Sequence, residues 1–255
     1  MSNIREEIAH NLDKYLIGLD DTFAFKCRCC GKCCKNRDDI LLNSRDLFNI
    51  AVALELTIAQ TIEKYCEIYI GRESKMPIVR LKPQGTNMAC PLLEGKRCVI
   101  HAKGGIKPVV CAAFPLGRVF INAEAVKDDV EIPMEPNTIG YILNEFSCGS
   151  VSKKHTVRSW LEKFGIPADD VFFIRWNEVI FKVVTIIMGV DKRISNKQSK
   201  AFDILYDGVF SLLYANYDTK QDFMPQFEAN AAKLLEFCGS INGVIVKFDG
   251  GNDDV

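Results

Sequence analysis

The chain has 255 residues, 48% of them hydrophobic and 25% charged, with a formal net charge of −1. That length allows one large domain or two small ones around a substantial apolar core, and the near-neutral balance excludes a global pull toward nucleic acid or an acidic membrane. Cysteine is the outlier: there are eleven, an odd and clustered set that includes the vicinal pairs Cys29–Cys30 and Cys33–Cys34. These features argue against a disulfide framework and for metal binding in a cytoplasmic protein.

The opening Met-Ser-Asn-Ile-Arg-Glu-Glu-Ile starts with acids and lacks the basic start of an export signal, so it reads as a surface helix. Ile4, Ile8, Leu12 and Leu16 stripe that helix over residues 3–16, with His10 on its opposite face. The run Cys27–Cys34 has no helical or strand periodicity and reads as a loop. Asn43 or Ser44 caps a helix through Leu56, with Leu47, Ile50, Ala51 and Leu54 facing inward. Thr57 and Gln60 form a capping box that opens a helix to about Ile70, with Cys66 on its apolar side beside Ile62 and Tyr69.

Over residues 76–121 Gly and Pro recur and helical periodicity disappears; Ile78–Leu81 and Arg118–Ile121 read as strands. Helical patterning returns at Thr156–Phe164, closed by Gly165 and Pro167. It continues at Ala168 to about Met188, with Asp169 and Asp170 near the positive end, then at Asn196–Asn216 and Pro225–Cys238. The most apolar stretch, Val179–Val190, is broken by Lys182 and too short to span a bilayer. Phe172, Phe173, Trp176, Phe181, Phe202, Tyr206, Phe210 and Tyr214 are expected to pack this part as core, and residues 250–254 to be a disordered tail. The expected fold is mainly α. Residues 1–150 form a loop-rich, cysteine-rich metal-binding part with flanking helices and a few short strands, and residues 151–255 a helical region packed on it.

Cys27-Arg-Cys-Cys30-Gly-Lys-Cys33-Cys34 repeats a two-residue spacer, which lets both sulfurs of a turn face one ion. Gly31 is free to take positive φ, turning backbone amides toward the sulfurs. The C-x-x-C-x-x-C core resembles the start of a bacterial ferredoxin run. Cys90-Pro91, Cys98, Pro108-Val-Val-Cys111-Ala-Ala-Phe114-Pro115 and Cys148-Gly149 follow. Cys27, Cys30, Cys33, Cys34, Cys90, Cys98, Cys111 and Cys148 are the candidate ligands, enough for one site with spares or two four-ligand sites. Cys29 is a spare or alternative donor, while Cys66 and Cys238 read as buried structural thiols. His101 reads as polar surface with zinc ligation as its alternative, and His155 simply precedes a helix. Lys26, Arg28, Lys32, Lys35 and Arg37 interleave with the first cluster and offset thiolate charge.

These motifs carry a resemblance. Phe25-x-Cys27-x-x-Cys30-Gly31-x-Cys33-Cys34, Cys90-Pro91-Leu92-Leu93, Cys98-x-Ile100 and Lys107-Pro108-x-x-Cys111-x-x-Phe114-Pro115 together resemble the YkgJ family of cysteine-cluster proteins. The resemblance spans roughly residues 23–150 and implies a zinc- or iron-chelating domain. Some relatives are labelled flagellin lysine N-methylases, which implies S-adenosylmethionine as cofactor and a flagellin-like substrate. Lys107 and Ala112 stand where the family usually has arginine.

The expected function is therefore a cysteine-ligated metal protein with a redox or structural role and, in the redox case, a protein partner. Thiolate-only donors suit either an iron–sulfur cluster, of 4Fe-4S type, or zinc, and the ferredoxin-like spacing favours iron–sulfur. The alternative is a methylase. There is no glycine-rich strand–helix turn for a nucleotide, and Asn36 stands where a C-x-x-x-C-x-x-C triad starting at Cys29 would need its third thiol. No catalytic residue is singled out.

Overall fold

The structure, a computed structural model, describes residues 12–121, 139–193 and 200–249. Ile4, Ile8, His10, Asn196 and residues 250–254 lie outside them. Among the described residues helix is the main element, at 47%, and strand makes up 21% in short pieces.

The first departure comes at once. Helix α1 (Leu12–Tyr15) gives way to β1 (Leu16–Ile17), so Leu16 leaves the expected helix and pairs with Ile142. β2 (Thr22–Lys26) sends Phe23 and Phe25 inward, the period-two pattern of a half-buried strand. After β3 (Leu41–Leu42), α2 (Ser44–Leu54) starts at Asn43, whose side chain accepts from the Asp46 N–H. α3 (Ile58–Tyr65) opens on the reciprocal Thr57–Gln60 capping box.

α3 stops short of Ile70, because Cys66–Ile70 is strand β4, paired along its length with β5 (Pro77–Leu81). Sheet pairing and the β-branched Ile68 and Ile70 outweigh the helical pattern. Cys66 is buried as a result, while Tyr69 turns to solvent. β3 pairs with the other edge of β5.

The cysteine-rich stretch continues through the hairpin β6 (Leu93–Glu94) and β7 (Arg97–Cys98) and the short helices α4 (Val99–Ala102) and α5 (Val109–Ala113). β8 (Leu116–Phe120) and β9 (Ile139–Leu143) run antiparallel, with β1 on the far edge of β9. β10 (Ser150–Thr156) pairs with β2.

α6 (Val157–Lys163) falls within the expected Thr156–Phe164 helix and is capped by Thr156, with Ser159 completing the box. α7 (Val171–Arg193) and α8 (Lys200–Phe210) follow, α8 running on through a π-helical turn at Ser211–Ala215. α9 (Phe223–Asp249) passes the expected stop at Gly239. That glycine is exposed, so it costs only helix propensity, about 1 kcal/mol, while Leu234 and Cys238 bury fully on the same helix. No helix among the described residues is long and apolar enough to cross a membrane.

Two apolar clusters result, and each draws residues from both sides of residue 150. In the first, Leu47, Ile50 and Val79 meet Val183, Leu205, Leu213 and Leu234. In the second, Phe23, Phe25 and Tyr141 meet Trp160, Leu161 and Ile174. The expected aromatic stripe divides between them: Phe172 packs edge-on to Phe223 and Phe227 in the first, whereas Phe173 and Phe181 lie against the second.

The layers are tied at Asp170, 2% exposed, just before α7. Its carboxylate accepts from Arg45 of α2 at 2.9 and 2.5 Å and from Arg118 of β8 at 2.8 Å. The two guanidiniums also lie over Phe172 and Phe173. Burial opposes the charge of Asp170, but Arg45 and Arg118 outweigh it and hold the carboxyl below its ordinary value of 3.8. A carboxyl depressed in the folded state contributes stability above the ordinary value and loses it as pH falls through the depressed one. Asp170→Ala is expected to cost about 3–5 kcal/mol in denaturant unfolding at neutral pH, since it strands buried cations. The part of the acid loss below pH 3.8 that Asp170 causes should vanish in the variant.

Candidate metal centre

The first cysteine loop is built by backbone conformations that its composition permits. Cys29 and Gly31 take φ of 50° and 69°, and Lys32–Cys34 close into a 3-10 turn. The Cys29 N–H donates to Cys27 Sγ at 3.3 Å. A Cβ on Gly31 would lie 3.3 Å from the Lys96 carbonyl oxygen, so the missing side chain lets the loop press on the β6–β7 hairpin that carries Cys98. The Cys90 N–H donates to the Cys34 carbonyl at 2.8 Å, fixing the second segment on the first.

Two further contacts bring in the remaining thiols. Asp46 of α2 accepts from the Val109 N–H at 2.9 Å and so anchors the start of α5, which carries Cys111. Cys148 arrives beside Cys27 because Ser150 pairs with Lys26 across β10 and β2. Gly149 allows that approach: its φ is 78°, and a Cβ there would sit 2.6 Å from Phe25 Cε2 and 2.8 Å from the Lys26 oxygen.

All eight predicted ligands, with Cys29, line one cavity of about 500 Å³. Every cysteine is a free thiol. Cys66 and Cys238 are buried in the first apolar cluster, where burial pushes their thiols up to about 12 and about 11. His101 is exposed at the cavity wall. His155 is part of β10 and has a structural task, its Nε2 lying 3.1 Å from the Phe25 oxygen and its ring edge-on to Trp160.

The cations differ from those expected. Arg28 and Arg37 line the cavity, but Lys26, Lys32 and Lys35 do not; Lys96, Arg97 and Lys107 take their place. No Asp or Glu among the described residues lines it. Arg37 is paired with Asp39, whereas Arg28, Lys96, Arg97 and Lys107 form no ion pair among the described residues. Phe25, Phe114, Trp160 and Phe164 complete the wall. Among these, only Phe25 and Phe114 stood inside a cysteine motif; Trp160 of α6 and Phe164, which caps that helix, carry no local signal of the site.

The electrostatics are those of crowded sulfur. The Cys33 and Cys34 sulfurs lie 3.9 Å apart. The contact between them pulls Cys33 down to about 6 against burial, with help from Lys107 and Arg37, and pushes Cys34 up. Burial pushes Cys90 up to about 11 and also raises Cys27, Cys111 and Cys148. Neighbouring thiols add to each of these shifts, so ionising several together needs a compensating cation.

Among the described residues no group of three or more His, Cys, Asp or Glu side chains is set as the ligand shell of one ion. The fit is one of donor chemistry: a wall of thiols, no competing carboxylate and a cationic surround, which suits soft thiolate-bound metals.

A family model described as "Putative zinc- or iron-chelating domain" (CxxCxxCC) matches residues 26–131. This segment is similar to that domain over 106 of the 255 residues. No curated protein and no solved structure matches the chain. The matched residues hold every candidate ligand except Cys148, which lies beyond them and reaches the cavity through the β2–β10 pairing.

Burial raises the Asp46 carboxyl to about 6 against the Val109 N–H, Arg118 and Arg45. Asp46→Ala leaves the Val109 donor unmatched and is expected to lower stability by about 1–3 kcal/mol in urea unfolding. Asp46→Asn keeps an acceptor oxygen and should cost clearly less.

Proposed function

We propose that this chain is a cysteine-ligated metal protein whose thiols hold an iron–sulfur cluster in preference to zinc, in a redox or structural role. One observation carries the reading: Cys27–Cys34, Cys90, Cys98, Cys111 and Cys148, spread over more than a hundred positions, line a single cavity with no carboxylate among them. Such a wall supplies thiolates alone, the donor set that iron–sulfur clusters use. The exposed Cys27 and Cys29 give an edge at which electrons could pass to a protein partner. When bound, the cluster would cross-link segments that otherwise meet only through short loops, and would add an electron-accepting centre.

Arg28, Lys96, Arg97 and Lys107 would offset the cluster's negative charge. The CxxCxxCC description names chelation. The methylase alternative gains no support from the residues that line the cavity.

Anaerobic purification followed by iron, acid-labile sulfide and zinc analysis tests this reading. Equimolar iron and sulfide, with visible absorption bleached by dithionite, is the expected result. A colourless protein holding only zinc would overturn the iron preference, and a metal-free protein would overturn chelation itself. A redox titration without a transition would leave the structural role.

A further inference from the structure

Going beyond the metal reading above, we infer that the same cavity binds a small molecule with a flat apolar body and a head carrying about two negative charges. The juxtaposition behind this is an aromatic floor beneath a mouth of cations that have no carboxylate partner.

The floor is a chain of four rings. Phe114 packs edge-on to Phe25 at 5.8 Å, Phe25 to Trp160 at 5.7 Å, and Trp160 to Phe164 at 4.9 Å. Phe25 and Trp160 are each 2% exposed, and the Trp160 Nε1 donates to the Ala113 carbonyl at 2.9 Å, which fixes the middle of the chain. Phe114 and Phe164, at its two ends, are half-buried and line the cavity with ring surface left to cover.

The mouth has the opposite character. Arg28, Lys96 and Arg97 are exposed and Lys107 is half-buried on the cavity wall, and none of them forms an ion pair among the described residues. Glu94 faces Arg97 across the β6–β7 hairpin, but it neither bridges to it nor lines the cavity. Lys107 joins mouth to floor: its Nζ lies 5.2 Å from the centre of the Phe164 ring, so a cation stands beside the apolar surface. Lys163 adds another at the same rings, its Nζ 4.9 Å from Trp160 and 5.2 Å from Phe164.

Size and charge set the class of ligand. The cavity, at about 500 Å³, falls in the range of small-molecule sites, roughly 300–1,000 Å³. A single metal ion fills little of that. Even a cluster of four irons and four sulfides, at roughly the 30 Å³ per atom that a water takes in the liquid, fills only about half. A 2+ metal or cluster in four thiolates carries about two negative charges, which the four wall cations exceed by about two. Without metal the same cations face neutral thiols. In either state the mouth stays positive and attracts a dianionic head, while an apolar body gains by covering Phe114 and Phe164.

The test is calorimetric titration of the full-length chain as isolated anaerobically, with its metal content measured in parallel. Phenyl phosphate and isophthalate each carry a ring and two charges, and their comparison separates a phosphate head from a carboxylate one. Inorganic phosphate supplies a head alone and phenol a ring alone. One-to-one binding of phenyl phosphate or isophthalate is expected, at least about tenfold tighter than either fragment and weakening as sodium chloride is raised. Lys96→Glu should weaken it about tenfold. Lys233→Glu makes the same charge change at an exposed position of α9 that does not line the cavity, and should leave binding within about twofold. Circular dichroism checks that both variants are folded. Absence of saturable binding by both dianions, equally tight binding of phenol or inorganic phosphate, or equal effects of the two substitutions overturns the assignment. A metal-free chain that still binds overturns chelation alone, and a metal-loaded chain that does not bind overturns this inference alone.

Discussion

Bringing nine thiols onto one wall creates an electrostatic problem that organises the surrounding structure. Each sulfur that ionises raises the cost of ionising the next, and burial adds to that cost at Cys27, Cys90, Cys111 and Cys148. Two devices oppose it. Lys107 and Arg37 favour the thiolate at Cys33, and the wall holds further cations and no carboxylate. A bound metal would complete the compensation, since a dication held by several sulfurs makes their deprotonation favourable together. Lys107 adds positive charge at this wall.

Placement of the thiols depends on groups well outside the cysteine motifs. The Asp170 carboxylate joins α2, β8 and the start of α7 through Arg45 and Arg118, so the two apolar clusters keep a fixed relation. Asp46, on the same helix as Arg45, ties that frame to the start of α5 and hence to Cys111. Phe25 packs edge-on to Phe114, Phe146 and Trp160, which seats the strand leading into Cys27 on the second cluster. The thiol wall is thus a junction between two packed clusters, and this is why its cysteines come from several distant segments.

Much of the local structure was legible from residues alone. Asn43, Thr57 and Thr156 mark helix starts because their side chains satisfy amides within three residues, an interaction with no tertiary requirement. The loop at Cys27–Cys34 was legible for the same reason, as was the freedom of Gly31. Misreadings occurred where a distant strand competed with local preference. Cys66–Ile70 carries a helical stripe, but β5 offers it a partner. Leu16 fits the first helix, but β9 offers Ile142. Gly239 fits a helix stop, yet the burial of neighbouring Leu234 and Cys238 carries α9 through it.

The sequence singled out the candidate ligands in two ways: Cys27, Cys30, Cys33 and Cys34 by two-residue spacing, a local fact with a direct chemical meaning, and Cys90, Cys98 and Cys111 by the family resemblance. So was the exclusion of Cys66 and Cys238, which lack any such spacing. Only the tertiary structure decided which thiols are neighbours, that Cys148 joins Cys27 across β2 and β10, and that Lys96, Arg97 and Lys107 surround them in place of Lys26, Lys32 and Lys35. Those relations depend on strand register and on how two apolar clusters pack. Both are set by contacts between residues far apart in the chain, whose partners no local pattern specifies.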